Sequence, residues 1–310
     1  MNHKEKFDKF RAQLEEQVMG QSEAVELTLV ALLAGGHVLL EGPPGVGKTA
    51  LAQGVAALFH GSFRRVQLTS DLLPSDIVGT LRLRPGSGEF EFRRGPIFSQ
   101  VLLADELNRT SPKTQAALLE AMAEGKVTVD GVTHPLPEPF FVIATQNPQE
   151  FQGVFPLSES QLDRFLVHVS MGLPSAEVEL RLYQRHVSAG SAAKQDLALL
   201  EPAELLRLRA EVKKIFVEPS LVKYLQEIAA AVRGAEDVLY GASVRAVLQW
   251  IDAAKARAFL SGRDFVSPED IRVLAPSVLG HRLFTRGTDL AFRLRKEIVS
   301  DALASVAAPQ

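Results

Sequence analysis

Residues 37–58 read HVLLEGPPGVGKTALAQGVAAL. A short apolar run ends in a glycine- and proline-rich turn, and a helical pattern begins at once. Gly42, Gly47, Lys48 and Thr49 supply G-x-x-x-x-G-K-[ST] in the strand–turn–helix setting this motif requires. The glycines let backbone N–H groups wrap phosphate oxygens, and the helix that follows turns its positive end towards them. Pro43, Pro44, Gly45, Val46 and Ala50 complete the loop around those key positions. Lys48 is placed to reach β- and γ-phosphates, and the Thr49 hydroxyl to bind Mg²⁺. A bare glycine-rich turn is the alternative, but random composition produces the match in only about 1% of chains this long. The motif therefore predicts a nucleotide-phosphate site inside an α/β fold.

The rest of the chain divides near Pro174. Before it, HVLLEG, RRVQLT, QVLLADE and PFFVIATQ are short, apolar and bounded by turn or polar residues. Runs of that kind predict buried parallel strands with helices between them. After it, apolar residues recur three and four apart in AEVELRLYQRHV, PAELLRLRAEVKKIF, PSLVKYLQEIAAAVR, SVRAVLQWIDAAKARAFL and SPEDIRVLAPSVLGHRL, as helices require. SAGSAAKQD at 188–196 reads as a loop. The expected organisation is an α/β domain over 1–173 followed by a smaller all-α domain over 174–310.

Binding phosphate is not hydrolysing it, which needs a metal ligand and a group that activates water. In QVLLADELNR, four apolar residues deliver Asp105 and Glu106 to the carboxyl end of a strand, where ligands collect in open α/β sheets. Asp105 is expected to hold Mg²⁺ through its hydration shell, and Glu106 to take a proton from water. A strand ending in solvated acids is the bland reading, and the P-loop upstream decides against it. A third strand, PFFVIATQNP, ends in Asn147. Its amide has two readings of equal weight: orienting the water against Glu106, or opening an Asn-Pro turn.

Composition sets outer limits. The net charge of −3 gives no global attraction to nucleic acid or anionic lipid. Having no cysteine excludes disulfides and thiolate chemistry. The charged start, MNHKEKFDKFRAQLEEQ, lacks the apolar stretch of a signal peptide, and the longest apolar run, 27–40, is short for a membrane span. A soluble, cytoplasmic protein is expected.

Cradle, acidic strand and polar strand tip, followed by helices, resemble the AAA+ ATPases. LLADELNRTSPKTQAALLEAMAEGKVTVDGVTHPLP, PFFVIATQNP and FPLSESQLDRFL together closely resemble the MoxR family, and the likeness continues through GASVRAVLQWIDAAKARAFLSGRDFVSPEDI. The resemblance implies an αβα core with a parallel sheet and two β-hairpin insertions, then a helical lid. It implies Mg-ATP hydrolysis in a homo-oligomeric ring, expected to be a hexamer. A von Willebrand factor A-type partner and a protein client would go with it, in chaperone-like remodelling or metal-cofactor insertion. It places an arginine finger at Arg164, which would reach a neighbouring subunit's γ-phosphate; on residues alone, Arg164 reads rather as a helix-end arginine paired with the adjacent Asp163. It places sensor 2 at Arg245, in the first turn of a helix capped by Ser243 and aimed at the nucleotide cleft; a solvated surface arginine is the alternative, and the residues alone barely separate the two. Val18, Gly20 and Gln21 in QVMGQ fall where the family contacts adenine. Asn108 and Arg109 follow the family pattern without an evident chemical role, and Ser158 stands where proline is common.

GTLRLRPGSGEFEFRRGPIF at 79–98 sits where the first hairpin insertion belongs. A two-residue turn at Gly86-Ser87 of type II′ places Arg84 opposite Glu89, Leu83 opposite Phe90, Arg82 opposite Glu91 and Leu81 opposite Phe92. Two arginines are thereby expected to pair with glutamates, each pair contributing about 0.2–1 kcal/mol, while Arg93 and Arg94 face no carboxylate. An apolar Leu/Phe face remains. The second hairpin, GKVTVDGVTHPLP, carries Asp130 at its tip, and His134 reads as a loop residue. An acidic tip repels phosphate rather than releasing counterions from it, so a nucleic-acid translocase is disfavoured. A magnesium-chelatase-like motor subunit and a nucleotide-gated scaffold complete the set of functions compatible with these motifs.

Overall fold

The computed structural model describes residues 3–86, 88–147, 153–188, 200–285 and 292–309. Two helices lead in, α1 (His3–Gln17) and α2 (Ser22–Ala34). The core runs β1 (Val38–Glu41), α3 (Lys48–Leu58), β2 (Phe63–Gln67), α4 (Pro74–Val78), then the hairpin β3 (Gly79–Leu83) and β4 (Phe90–Arg94). It continues with β5 (Val101–Asp105), α5 (Pro112–Glu124), the hairpin β6 (Lys126–Val129) and β7 (Val132–Pro135), β8 (Phe141–Gln146), α6 (Glu159–Leu162) and β9 (Val167–Ser170). Then come α7 (Ala176–Ser188), α8 (Pro202–Lys213), α9 (Pro219–Gly234), β10 (Val238–Tyr240), α10 (Val244–Leu260), α11 (Pro268–Leu279), β11 (Phe284–Thr285) and α12 (Phe292–Ser305). The loop expected at 188–196 lies, from residue 189 on, outside the described residues.

The four apolar runs form a parallel sheet in which β1, β5 and β8 bury both faces, while β2 stays half-buried or exposed at the edge. Among the described residues the order is β2-β5-β8-β1-β9, and β5 is buried along its whole length. β9 was not legible in the sequence, since His168 interrupts its apolar pattern. In the fold that histidine is buried and its Nε2 lies 2.7 Å from Glu41 Oε2 on the adjacent strand. The helices after β9 pack α10 and α8 against α2, and α11 against β9. Trp250 of α10 is fully buried and donates its indole N–H to Ile271 O at 3.1 Å. The lid also contains a short antiparallel ribbon, β10–β11, which helical periodicity did not announce.

Both hairpins form. In the first, Leu81, Arg82 and Leu83 face Phe92, Glu91 and Phe90, the expected register, and the Arg84 N–H donates to Glu89 O at 2.8 Å. Gly86 takes a positive φ of 93°, while Ser87 lies outside the described residues. The ion pairing differs from expectation. Arg84 bonds Glu91 diagonally at 3.1 Å, because strand twist brings the diagonal neighbour within reach of a long side chain. Arg94 lies over the Phe98 ring, 5.2 Å from its centroid. The apolar face is half covered. Phe92 stacks on His134 of the second hairpin at 4.3 Å, whereas Leu83 and Phe90 nearer the tip are 58% and 69% exposed. His134 is thus a strand residue that joins the hairpins, not a loop residue. The second hairpin turns at Asp130-Gly131, both at positive φ, as a two-residue Asp-Gly turn requires.

One buried side chain gives the fold a defined acid sensitivity. His37 Nδ1 accepts the Val142 N–H at 3.1 Å and Nε2 donates to Met122 O at 3.2 Å, so the neutral ring is satisfied in a single tautomer. Protonating Nδ1 would break the first bond and charge a desolvated ring. Burial, then the nearby Arg209 and Arg245, outweigh the Met122 bond and push its pKa down from 6.5 to about 4. Between those values the unfolded chain binds the proton and the native chain does not, so stability falls as pH falls. A shift of that size corresponds to about 3 kcal/mol lost by pH 4. Urea midpoints measured from pH 7 to pH 5 are expected to decline. In His37→Gln, whose amide also donates and accepts, the decline should be shallower by about 2 kcal/mol in total across that window. Parallel declines in the two proteins would show that His37 is not responsible.

Candidate active site

The carboxyl ends of β5, β8 and β1 lie side by side, so the segments leaving them meet in one cleft. Pro44, Gly45, Gly47, Lys48, Thr49, Ala50, Arg65, Asp105 and Glu106 line a volume of about 340 Å³ there. Gly45 and Gly47 take φ of 86° and 99°, a conformation that turns the loop sharply and strains any side-chain-bearing residue. Helix α3 begins at Lys48, so its first-turn N–H groups, which have no i−4 carbonyl inside the helix, point into the loop. Lys48 Nζ donates to Gly42 O at 2.9 Å, folding its ammonium back over the loop.

Asp105 is nearly buried and its two oxygens are engaged differently. Oδ1 accepts the Thr145 hydroxyl at 2.6 Å, and Oδ2 accepts Arg65 Nη2 at 2.6 Å and Nε at 3.2 Å. The Thr145 hydroxyl in turn accepts the Glu106 N–H at 2.9 Å, so a single side chain of β8 fixes both acids. Glu106 is held at φ 59°, a left-handed conformation costing about 1–3 kcal/mol that a non-glycine residue keeps only when its surroundings enforce it. Its carboxylate lies 3.2 Å from Arg109 Nη1, which gives Arg109 a function the sequence left open. The main chain of Asn108 accepts the Phe155 N–H at 2.6 Å, tying this turn to the segment before α6.

Arg65 and Thr145 carry no signal of this role in the sequence. Both sit in strands as ordinary polar positions, and nothing in their spacing links them to Asp105. The register Gln67↔Asp105 between β2 and β5 brings Arg65 to the acid. Among the described residues no three His, Asp or Glu side chains converge as a metal cage. The oxygens of Thr49 and Asp105 in one cleft instead form the sparse hard-ligand set that suits Mg²⁺ carried with a nucleotide and its waters.

The other expected residues separate into two groups. Val18 packs beside the loop, where a Cβ on Gly47 would meet its Cγ1 at 3.1 Å. Gly20 takes φ 80° beneath Pro174, and Gln21 donates to Gly172 O at 2.7 Å. Asn147 follows β8 between the acidic strand and the P-loop strand, where Gly42 N–H bonds Gln146 O at 3.4 Å. Pro148, on which the turn reading depends, lies outside the described residues. Residues 17–21 and 147 therefore gather at the cleft end of the sheet.

Arg164 and Arg245 do not. Leu166 N–H bonds His37 O at 2.9 Å, so Arg164 precedes β9 at the amino edge of the sheet. Ser243 does cap α10, accepting the Ala246 N–H at 3.0 Å, and its hydroxyl also reaches Asp163 at 3.2 Å. The exposed Arg245 in that first turn thus stands at the edge opposite its own P-loop, about 15 Å of strand away. It does not line the cleft, which corrects the expectation that it is aimed there. The lid packs on α2 and β9 rather than over the P-loop, and this moves the residue. Asp163 is occupied by Arg282, Nε to Oδ1 3.0 Å, which removes the reading of Arg164 as its ion-pair partner. Ser158, at the proline position, starts α6 with its N–H on Gln161 Oε1 at 2.7 Å.

Comparison with known proteins bears on the fold and the family. Residues 37–167 match the model described as "ATPase family associated with various cellular activities (AAA)", and residues 230–303 match an AAA lid domain. Chaperone MoxR1 of Mycobacterium tuberculosis is 44% identical over 303 residues, covering 94% of this chain and 80% of that one. The uncharacterised YeaC of Bacillus subtilis is 46% identical over 270 residues, covering 86% and 83%. The crystal structure of a candidate ATPase from Cytophaga hutchinsonii superposes with a TM-score of 0.90 at 37% identity, covering 99% and 96%. With a P-loop core, two hairpin insertions, a helical lid and relatives of this similarity along nearly its whole length, the chain belongs to the MoxR family of AAA+ ATPases.

Proposed function

We propose that the protein hydrolyses ATP with Mg²⁺ in this cleft and works as a homo-oligomeric ring, a hexamer by family resemblance, that remodels a protein client. The observation carrying the ring is the position of Arg164 and Arg245 at the sheet edge opposite their own cleft. An arginine there is too far from its own cleft to touch a nucleotide bound in it, so any nucleotide it contacts is one bound by another subunit. We place the division of the chain at 173/174, where β9 gives way to helices.

In this reading Lys48 and the loop N–H groups bind the phosphates, and Thr49 and Asp105 hold Mg²⁺. The metal, when bound, neutralises developing phosphate charge. Arg65 neutralises Asp105 before that and shares the carboxylate afterwards. Glu106 takes the proton from the attacking water, and Asn147 orients that water from the neighbouring strand tip. Val18, Gly20 and Gln21 line the base side. The half-bare first hairpin and the acidic tip of the second support a protein client over nucleic acid. A von Willebrand factor A-type partner, a role in cofactor insertion and a cytoplasmic setting rest on family resemblance. No described helix is long and apolar enough to cross a membrane.

Phosphate release that depends on Mg²⁺ and ignores added single- or double-stranded DNA is the expected behaviour. Arg164→Ala is expected to lower turnover by ~10³-fold while ATP still binds. Mixing it with Lys48→Ala subunits, whose fingers are intact, should restore part of the activity. No restoration at any mixing ratio would sink the shared site.

A further inference from the structure

Arg282, from the single 3₁₀ turn over Gly280–Arg282, is buried at 4% exposure and spends its guanidinium on the segment that carries Arg164. Nη2 donates to Phe165 O at 2.7 Å and to Asp163 O at 3.4 Å, and Nη1 donates to Val278 O at 2.6 Å. Nε lies 3.0 Å from Asp163 Oδ1 as an ion pair, not an aligned hydrogen bond. Nη2 also bonds the Gln249 side chain of α10. The adjacent His281 donates Nε2–H to the same Phe165 carbonyl at 3.0 Å. The residues on both sides of Arg164 are thus gripped from the lid. Asp163 completes the connection, since its carboxylate also accepts the hydroxyl of Ser243, the cap of the helix carrying Arg245.

We infer that Asp163 and Arg282, with Ser243, form a clamp that fixes Arg164 relative to the first turn of α10, so that Arg164 and Arg245 are presented to the neighbouring subunit as one rigid pair. A buried ion pair that merely stabilises the junction of core and lid would predict a different pattern of defects. A long arginine side chain in the turn after a four-residue helix has no fixed aim of its own. Here the clamp closes on the backbone carbonyls beside it, where a small rotation would swing the guanidinium away from its target. Asp163 carries the link to the lid helix because its carboxylate takes both the Arg282 ion pair, at Oδ1, and the Ser243 hydroxyl, 3.2 Å from Oδ1 and 3.3 Å from Oδ2. Burial pushes the Arg282 pKa down to about 10 against the opposing pull of Asp163, so the guanidinium remains charged at neutral pH.

The inference rests on Arg164 acting in trans, and the test separates the two ideas. Asp163→Ala should lower turnover by about tenfold or more, as misplacing a catalytic group does, with fluorescent-ATP affinity changed less than about twofold, since the neighbour's cleft is intact. Asp163→Ala combined with Arg164→Ala should be no slower than Arg164→Ala alone. Mixing Asp163→Ala with Lys48→Ala subunits should restore activity, as is expected for Arg164→Ala. Arg282→Lys, which keeps the buried charge and loses the fork, is judged by the same three measurements and covers the case in which Asp163→Ala does not fold. Rescue of Arg164→Ala without rescue of the clamp variants overturns the clamp alone. So does an additive double variant, or a variant with lowered melting temperature and normal turnover. Failure to rescue Arg164→Ala itself removes the finger and the clamp with it.

Discussion

Lys48→Ala is expected to abolish nucleotide binding. The Lys48 ammonium bonds Gly42 O at 2.9 Å, so it lies over the loop rather than in solvent. It is the cation that the P-loop itself contributes to the phosphates. The other residues there offer backbone N–H groups and the Thr49 hydroxyl. Truncating one member of a partly desolvated charge pair costs about 2–5 kcal/mol, or ~30-fold to several thousandfold in affinity. Titration with fluorescent ATP should show no saturation at concentrations that saturate the wild type. The substitution is not expected to unfold the chain, because Lys48 is a first-turn residue whose ammonium bonds a loop carbonyl rather than a core group. Tight ATP binding by the variant would contradict the assignment of the cradle.

Glu106→Gln should separate binding from turnover. The carboxylate and the amide have nearly the same shape, and Thr145 grips the main chain of residue 106, not its side chain. The strained backbone is therefore expected to survive the change. What disappears is the base, and positioned general bases contribute about 10²–10⁴-fold. Single-turnover assays should find ATP bound with near-normal affinity and cleaved slower by that factor. Turnover close to the wild type would mean that a different group activates water, with Asp105 the other carboxylate in the cleft. The ATP-trapped protein is also the form with which to capture the client and the proposed partner from cell extract.

Local chemistry was legible because it is written in short-range spacing. Gly42 to Thr49 lie within one turn, and Asp105 and Glu106 directly follow an apolar run, so no knowledge of the rest of the chain is needed to read them. The same holds for the first hairpin, where turn geometry alone places Leu81 opposite Phe92 and Leu83 opposite Phe90. It also holds for the Ser243 cap, three residues before the N–H it accepts. Even within the hairpin, the limit of that reasoning shows. Register fixes which residues face each other, but twist decided that Arg84 would pair with Glu91.

Contacts between elements far apart in sequence were not legible, because no periodicity connects them. β9 stayed hidden because His168 looks like a break until Glu41 is placed beside it. Arg65 reaches Asp105 only through the parallel pairing of β2 with β5. On sequence alone Asp163 was free to pair with Arg164, until the fold brought Arg282 to it from the lid. Arg245 was expected to aim at its own cleft, until the lid packed on α2 and β9. By itself the sequence determined a P-loop on an α/β core followed by a helical lid. Only the tertiary structure decided which arginines serve the chain's own site and which face outward. That choice depends on how whole layers pack, and packing is settled by burial summed over many residues rather than by any local pattern.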